Sequence, residues 1–238
     1  MIAALLLGVA LDALPPVAQS EPPGPGGAGR KPYLQYCASC HGADLRGGPN
    51  APSIRGVGPA DVDFMVSTGR MPAAVPWIEV GHRGAQLPQA TIDAIVAYVT
   101  SVQPGGPPIP VVIAGGNLER GRELFRENCL HCHGAEAGGA SIGGNEWAPS
   151  LEHATVTQVG EAIRVGPAEM PRFGARQLSE RDVDDIVTYL SSLRASEKSA
   201  VFPPASSGPV PEGLLGWISA GLMAAGAYAF SAGKKENR

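Results

Sequence analysis

Two short runs of this 238-residue chain concentrate its reactive side chains: Cys37-Ala38-Ser39-Cys40-His41-Gly42-Ala43 and Cys129-Leu130-His131-Cys132-His133-Gly134-Ala135, displaced by 92 positions. All 4 cysteines of the sequence lie in them. Two thiols two residues apart, followed at once by an imidazole, form the attachment signature of a c-type haem: the thiols add to the vinyl groups and the adjacent histidine is left facing the iron. Other chemistries use the same residue types. A thioredoxin-like dithiol would want a βαβ context, which the sequence lacks. A disulfide would leave the paired His, Pro and Met repeats unexplained. Two Cys2His sets completed by His82 and His153 would make zinc sites, and at this level that alternative stays open.

An iron atom held by His41 or His133 needs a sixth ligand. Met71 and Met170 follow those histidines by 30 and 37 residues, and each precedes a proline. Of the 5 methionines, Met1 is the initiator, Met223 sits in an apolar C-terminal stretch and Met65 falls on the apolar side of a short helix around 61–67. A single methionine is usually a core filler, but a Met-Pro pair at equivalent places in two repeats predicts ligation by Met71 and Met170. His82 and His153 are the competing ligands. His131 lies between the motif cysteines and cannot readily turn to the same iron. Pro52 and Pro149 recur between the ligands, where their carbonyls are expected to accept the other imidazole N–H of His41 and His133 and so fix ring orientation.

These features form one repeat. Gly29 matches Gly121 and Tyr33 matches Phe125 at an offset of 92, Ala51-Pro52-Ser53-Ile54 matches Ala148-Pro149-Ser150-Leu151 at 97, Met71-Pro72 matches Met170-Pro171 at 99, and Tyr98 matches Tyr189 at 91. Ordered recurrence of this kind is a tandem duplication. Val183, Ile186, Val187, Leu190 and Leu193 follow a helical stripe, as do Ile92, Ile95, Val96 and Val99. Leu118, Gly121, Leu124 and Phe125 form a further stripe ending at the second cysteine motif. The sequence therefore predicts, in each half, a glycine-bearing helix before the cysteines and a final helix packed against it. Ser179 with Asp182 approximates a capping box, and Pro88 suits a first helical turn.

Proline-rich stretches divide the chain. The expected layout is an apolar remnant and Pro/Gly linker over 1–28, a first domain over 29–103, a linker over 104–116, a second domain over 117–195, a linker over 196–212, a transmembrane helix over 213–233 and a tail over 234–238. The 21 residues from Gly213 to Gly233 carry no charge and end at Lys234, Lys235 and Arg238. As a helix they would reach about 30 Å, the hydrocarbon thickness of a bilayer. The positive-inside rule puts the basic tail in the cytoplasm and the two domains on the extracytoplasmic side. Ile2 to Leu11 resembles the apolar part of an export signal without its basic leader, so a truncated signal or first anchor is expected there.

Charge and composition narrow the function classes. With 18 Lys+Arg against 22 Asp+Glu there is no basic footprint for nucleic acid. The first half carries six basic and five acidic residues over 29–103, net +1, and the second eight and thirteen over 115–197, net −5, so the halves should face different partners. No Ser/His/Asp set or paired carboxylate constellation suggests substrate turnover. Aromatic residues are scarce, at 5 Phe, 3 Trp and 5 Tyr, and the porphyrin is expected to be the largest flat apolar body in each small domain.

A Gly-x-x-x-aromatic helix before Cys-x-x-Cys-His, a proline loop, a Met-Pro ligand and a final aromatic-bearing helix resemble class I cytochrome c domains. The tandem pair, the run Val66-Ser67-Thr68-Gly69-Arg70-Met71-Pro72-Ala73 and the C-terminal apolar segment are together similar to the dihaem cytochrome c subunits of actinobacterial cytochrome bc1 complexes. The resemblance implies an all-α chain of two tandem class I cytochrome c domains plus a C-terminal transmembrane helix, with two covalently bound haem c groups. Cys37, Cys40, Cys129 and Cys132 would be the thioether positions, and His41, Met71, His133 and Met170 the axial ligands. It implies a place in a menaquinol-oxidising respiratory complex beside a cytochrome b subunit, passing electrons from a Rieske iron–sulfur protein to an aa3-type cytochrome c oxidase. The alternatives are a dihaem subunit of a cbb3-type oxidase or membrane dehydrogenase and, in a different class, a dihaem peroxidase, which needs one iron with an open or displaceable ligand.

Overall fold

The computed structural model describes residues 27–75, 82–144, 146–199 and 209–236. The apolar run 2–11 and most of the segment that follows it lie outside the described residues. In the first half α1 (Arg30–Tyr36), α2 (Ala38–His41), α3 (Pro59–Ser67) and α4 (Gln89–Val102) follow in order. The second repeats the plan with α5 (Leu118–Asn128), α6 (Leu130–His133), α7 (Val156–Val165) and α8 (Glu180–Ser199). A last helix, α9, runs from Pro209 to Glu236.

Local chemistry explains where these helices begin. The Asn117 side chain accepts from the Arg120 amide at 2.9 Å and starts α5. Thr155 and Gln158 form a reciprocal capping box at α7, with bonds of 3.1 and 2.9 Å. Ser179 and Asp182 do the same work at α8: the Ser179 amide donates to the Asp182 carboxylate at 2.9 Å and the Asp182 amide to the Ser179 hydroxyl at 3.2 Å. Pro88 stands at the N-cap of α4.

Each half has its own core. Tyr33, Leu45, Val62, Ile92, Ile95 and Val99 anchor the first, and Phe125, Leu124, Ile163, Val183, Ile186 and Leu190 the second. In both, the first helix crosses the last at a glycine. A Cβ on Gly29 would fall onto the Ala94 carbonyl and Tyr98 Cβ, and one on Gly121 onto the Asp185 carbonyl and Tyr189 Cβ. Only a bare backbone fits there. Beside each crossing an aromatic pair closes the gap, Tyr33 with Tyr98 at 5.3 Å and Phe125 with Tyr189 at 5.5 Å between ring centroids.

The chain is not wholly helical. β1 (Ala140–Gly143) and β2 (Glu146–Ala148) pair antiparallel, with Ala140 opposite Ala148 and Ser141 opposite Trp147. The repeat offset rises from 92 at the cysteines to 97 at Ala-Pro, so the second half holds five additional residues here. They fold into this hairpin, turning at Gly143 and Gly144 with φ of +95° and +59°. In the first half the corresponding loop makes only an isolated bridge between Gly48 and Ala51. The departure from an all-α expectation is thus local to one insertion.

The two halves meet where α3 packs on α7, and Gln158 Nε2 donates to Ser67 Oγ at 3.2 Å across the seam. Between them the proline linker is irregular but fastened. Gly105 and Gly106 lie against Gly56, Val57 and Gly58 of the first half. The amide of Ile113 donates to Asp184, those of Gly115 and Gly116 to Thr188 Oγ1, and that of Asn117 to Asp185, at 2.6 to 3.0 Å.

At the C-terminus the expected spanning helix is not established. α9 is 28 residues long and leaves Trp217, Leu222, Met223 and Tyr228 exposed, yet no helix among the described residues is long and apolar enough to cross a membrane.

The glycine crossings can be tested directly. Gly29→Ala or Gly121→Ala forces backbones apart and is expected to destabilise its half by about 1–3 kcal/mol, the range for overpacking a filled core. Chemical denaturation of the intact chain measures it, and an unchanged midpoint for both variants would show that the crossing gives way freely.

Candidate cofactor site

The two cysteine motifs share one backbone. At Cys37 and Cys129 the chain kinks out of the preceding helix, with φ, ψ of −121°, −36° and −123°, −36°. A single tight turn follows, closed by the His41 amide to the Cys37 carbonyl at 3.0 Å and the His133 amide to the Cys129 carbonyl at 2.9 Å. The glycine after each histidine ends the turn at φ +77° and +76° with extended ψ, a region open to glycine alone. In the second motif the turn brings both thiols and the imidazole to one cavity. The loop then doubles back, Gly47 and Gly139 donating to the carbonyls of His41 and His133.

Both histidines are buried and oriented alike. His41 Nδ1 lies 2.9 Å from the Pro52 carbonyl and His133 Nδ1 2.9 Å from the Pro149 carbonyl. A carbonyl can only accept, so Nδ1 carries the proton and Nε2 keeps its lone pair for a metal. Desolvation holds the His133 pKa below the ordinary histidine value against the opposing bond to Pro149, which preserves the neutral, ligating form.

In the second half one cavity is lined by Cys129, Cys132, His133, Pro149 and Met170. Its walls are the apolar faces of α7 and α8, through Val159, Ile163, Ile186 and Leu190. Met170 thus faces the same space as the imidazole and the thiols. In the first half Cys37 and Met71 pack against the same apolar cluster. The four thiols are unpaired. Burial, then the neighbouring cysteine, pushes the Cys37 thiol up to about 11 and the Cys129 thiol up to about 12. Among the described residues no three His, Cys, Asp or Glu side chains converge as a metal cage requires. His153 is exposed beside Glu152, and neither it nor His82 completes such a group among the described residues. An apolar slot lined by two thiols, an imidazole and a thioether fits a covalently attached haem.

Three features of the site were not read from the sequence. Tyr33 donates to the Gly42 carbonyl at 2.7 Å, steadying the first motif; Phe125 in the matching place has no hydroxyl. Phe64, Thr68, Arg70 and His82 of the first half line the cavity of the second. Arg70 sits 4.7 Å over the Phe64 ring, and His82, weighed as a competing ligand, is held below its ordinary pKa by burial and then by Arg70. Ile142 and Trp147 of the hairpin complete the rim and remain exposed. Adjacency of Arg70 to Met71 was the one available signal; the others depend on how the halves dock.

Comparison with known proteins gives a consistent picture. A family model described as cytochrome C oxidase, cbb3-type, subunit III matches residues 25–99 and again residues 116–190. The chain is 37% identical over 207 residues to the cytochrome bc1 complex cytochrome c subunit of Mycobacterium tuberculosis, covering 83% of this chain and 73% of that protein. It is 32% identical over 209 residues to the protein of the same name in Corynebacterium diphtheriae, covering 80% and 74%. The cbb3-type cytochrome c oxidase subunit FixP of Rhizobium meliloti is 26% identical over 187 residues, covering 71% and 61%.

Replacing Cys129 and Cys132 together by alanine removes one of the two attachment motifs. The haem that survives acid–acetone extraction, read as the pyridine haemochrome, is expected to fall by half relative to the unaltered chain; no loss would discard the assignment of that motif.

Proposed function

Because this chain belongs to the cytochrome c subunits of the cytochrome bc1 complex, with two tandem cytochrome c domains and two covalently bound haem c groups, we propose that it carries electrons from a Rieske iron–sulfur protein to an aa3-type cytochrome c oxidase. The first half would accept and the second would donate. The observation that carries this reading is kinship along most of the chain to subunits of that complex. Bound haem supplies a one-electron couple, and histidine–methionine ligation sets it at a comparatively high potential, suited to the late end of a respiratory chain.

In this reading Cys37 and Cys40 hold one haem, with His41 and Met71 as axial ligands; Cys129 and Cys132 hold the other, with His133 and Met170. Pro52 and Pro149 retain the Nδ1 protons, so ring orientation does not drift as charge on the iron changes. Ligation by Met71 and Met170 beside the histidines would leave neither iron an open position for a substrate or peroxide oxygen, which disfavours the peroxidase reading. The acidic second half and nearly neutral first half suit two different partners. A carrier fixed in a complex needs no basic ring to steer it, since linkage supplies the effective concentration, and only four lysines occur, at 31, 198, 234 and 235.

The uncharged stretch 213–233 within α9, followed by Lys234 and Lys235, supports a single C-terminal anchor beside a cytochrome b subunit. Both haem domains would then be extracytoplasmic and the tail cytoplasmic. A second reading, a dihaem subunit of a cbb3-type oxidase, is favoured by the description of the family model and by the likeness to FixP.

Isolation of the native protein in mild detergent separates these readings. Co-purification with cytochrome b, a Rieske protein and an aa3-type oxidase is expected; recovery with a cbb3-type oxidase instead would transfer the assignment. Met71→His or Met170→His is expected to lower the midpoint potential of one haem, leave the other nearly unchanged and remove one of two thioether–iron absorption bands. A variant ending before Pro209 should leave the membrane fraction in salt-washed vesicles, and its retention there would refute the anchor.

A further inference from the structure

The seam between α3 and α7 buries a pair of acids that electron carriage does not use. Glu161 is 0% exposed and Asp63 8%; both lie on the helices that pack together at the seam, and Asp63 is the charged neighbour that acts on Glu161. One helical turn away, Gln158 bonds Ser67. From 63 to 67 along α3 the partners run from 161 to 158 along α7, so the helices are antiparallel. With the methionines of the two halves 99 positions apart, Glu161 is the counterpart of Val62, the immediate neighbour of Asp63. The two acids therefore occupy neighbouring positions of the shared plan, on corresponding helices of the two halves.

Ionised carboxylates only accept hydrogen bonds. No donor reaches either Glu161 oxygen, and two bare carboxylates in an enclosed seam repel while losing their hydration. The charged groups around the pair are engaged elsewhere. On α7, Arg164 donates to the Phe173 and Leu178 carbonyls and to Glu180. Arg172 acts on Asp61 of α3, Arg70 covers Phe64, and His82 faces Gln158, Arg70 and His153. From the linker, Pro110 and Val112 lie against Gly160 of α7 and the Pro107 carbonyl accepts from the Ala60 amide of α3, none of them a charged group. What remains to satisfy the pair is a proton, which turns one acid into a donor to the other.

We propose that Asp63 and Glu161 form a one-proton site that latches the two haem domains together, closing the α3–α7 seam when occupied and loosening it when the proton is lost. Loss sends one proton to solvent and leaves two facing carboxylates. Because α3 and α7 also supply Phe64, Thr68, Val159 and Ile163 to the second cavity, loosening admits water there. Burial, then Asp63, raises the Glu161 pKa from its ordinary 4.5 to about 9. A folded value above the unfolded one makes the contribution full below about 4.5, declining as pH rises and gone above about 9.

The test uses the haem-loaded full chain. Amide hydrogen exchange of α7, normalised to α5 of the same molecule, is expected to quicken by about tenfold for each pH unit between about 4.5 and about 9 and to level off above that. Glu161→Gln, whose amide donates permanently to Asp63, is expected to keep α7 protected throughout. Infrared spectra of the unaltered protein should show a protonated-carboxyl stretch at neutral pH that disappears around pH 9 and is missing from the variant. Relative protection of α7 that does not change between about pH 4.5 and about 9, or a Glu161→Gln protein that loses protection over the same range, would overturn the latch. A neutral-pH spectrum without the protonated-carboxyl band overturns it as well, whether or not the variant folds.

Discussion

Everything in each half is registered by one contact between two backbones. At Gly29 and Gly121 the first helix lies directly on a carbonyl of the last helix, and no side chain larger than hydrogen fits between. The first helix ends at the first cysteine of its motif, and in the second half the last helix supplies Ile186 and Leu190 to the opposing wall of the cavity. Distance between attachment thiols and apolar wall is therefore set by a crossing at van der Waals contact rather than by a flexible loop. The aromatic pairs beside the crossings fill what the glycines leave open.

On that shared frame the halves have diverged. The hydroxyl of Tyr33 pins the turn of the first motif, while Phe125 packs without a hydrogen bond. The second half alone has a hairpin at the rim, and residues of the first half complete its cavity. The borrowing runs through Phe64 on α3, Thr68 and Arg70 just beyond it, and His82 further along the chain. One cationic, partly apolar edge of the first domain thus becomes a wall of the second site, so the electrostatic setting of the second cofactor is partly decided outside its own domain.

The attachment motifs, the tandem repeat and the crossing of Gly121 on the Tyr189 helix were legible because each rests on spacing, and covalent geometry turns spacing into position. The bonds from His41 and His133 to Pro52 and Pro149 were anticipated for the same reason: the prolines recur between ligands in both halves. What the sequence concealed was set by docking or by insertion. Nothing in a helical stripe distinguishes Asp63 or Glu161 from solvent-facing acids, since each is charged in a mostly amphipathic run. The hairpin showed only as a change of offset from 92 to 97, which announces extra residues without saying how they fold. Proline content in 104–116 marked a linker correctly as irregular but gave no sign that its amides are fastened to Asp184, Asp185 and Thr188.

That fastened linker changes the statistics of domain association. A free tether lets two domains explore a volume that grows with its length, and bringing them together again costs configurational entropy. Here Gly105 and Gly106 are laid against the first domain and Ile113 to Asn117 against α8 of the second, leaving only a few residues, three of them prolines, between the two moorings. Separation of the halves is thereby confined to a short arc, and their reunion is close to a unimolecular hinge closure rather than a search through solution.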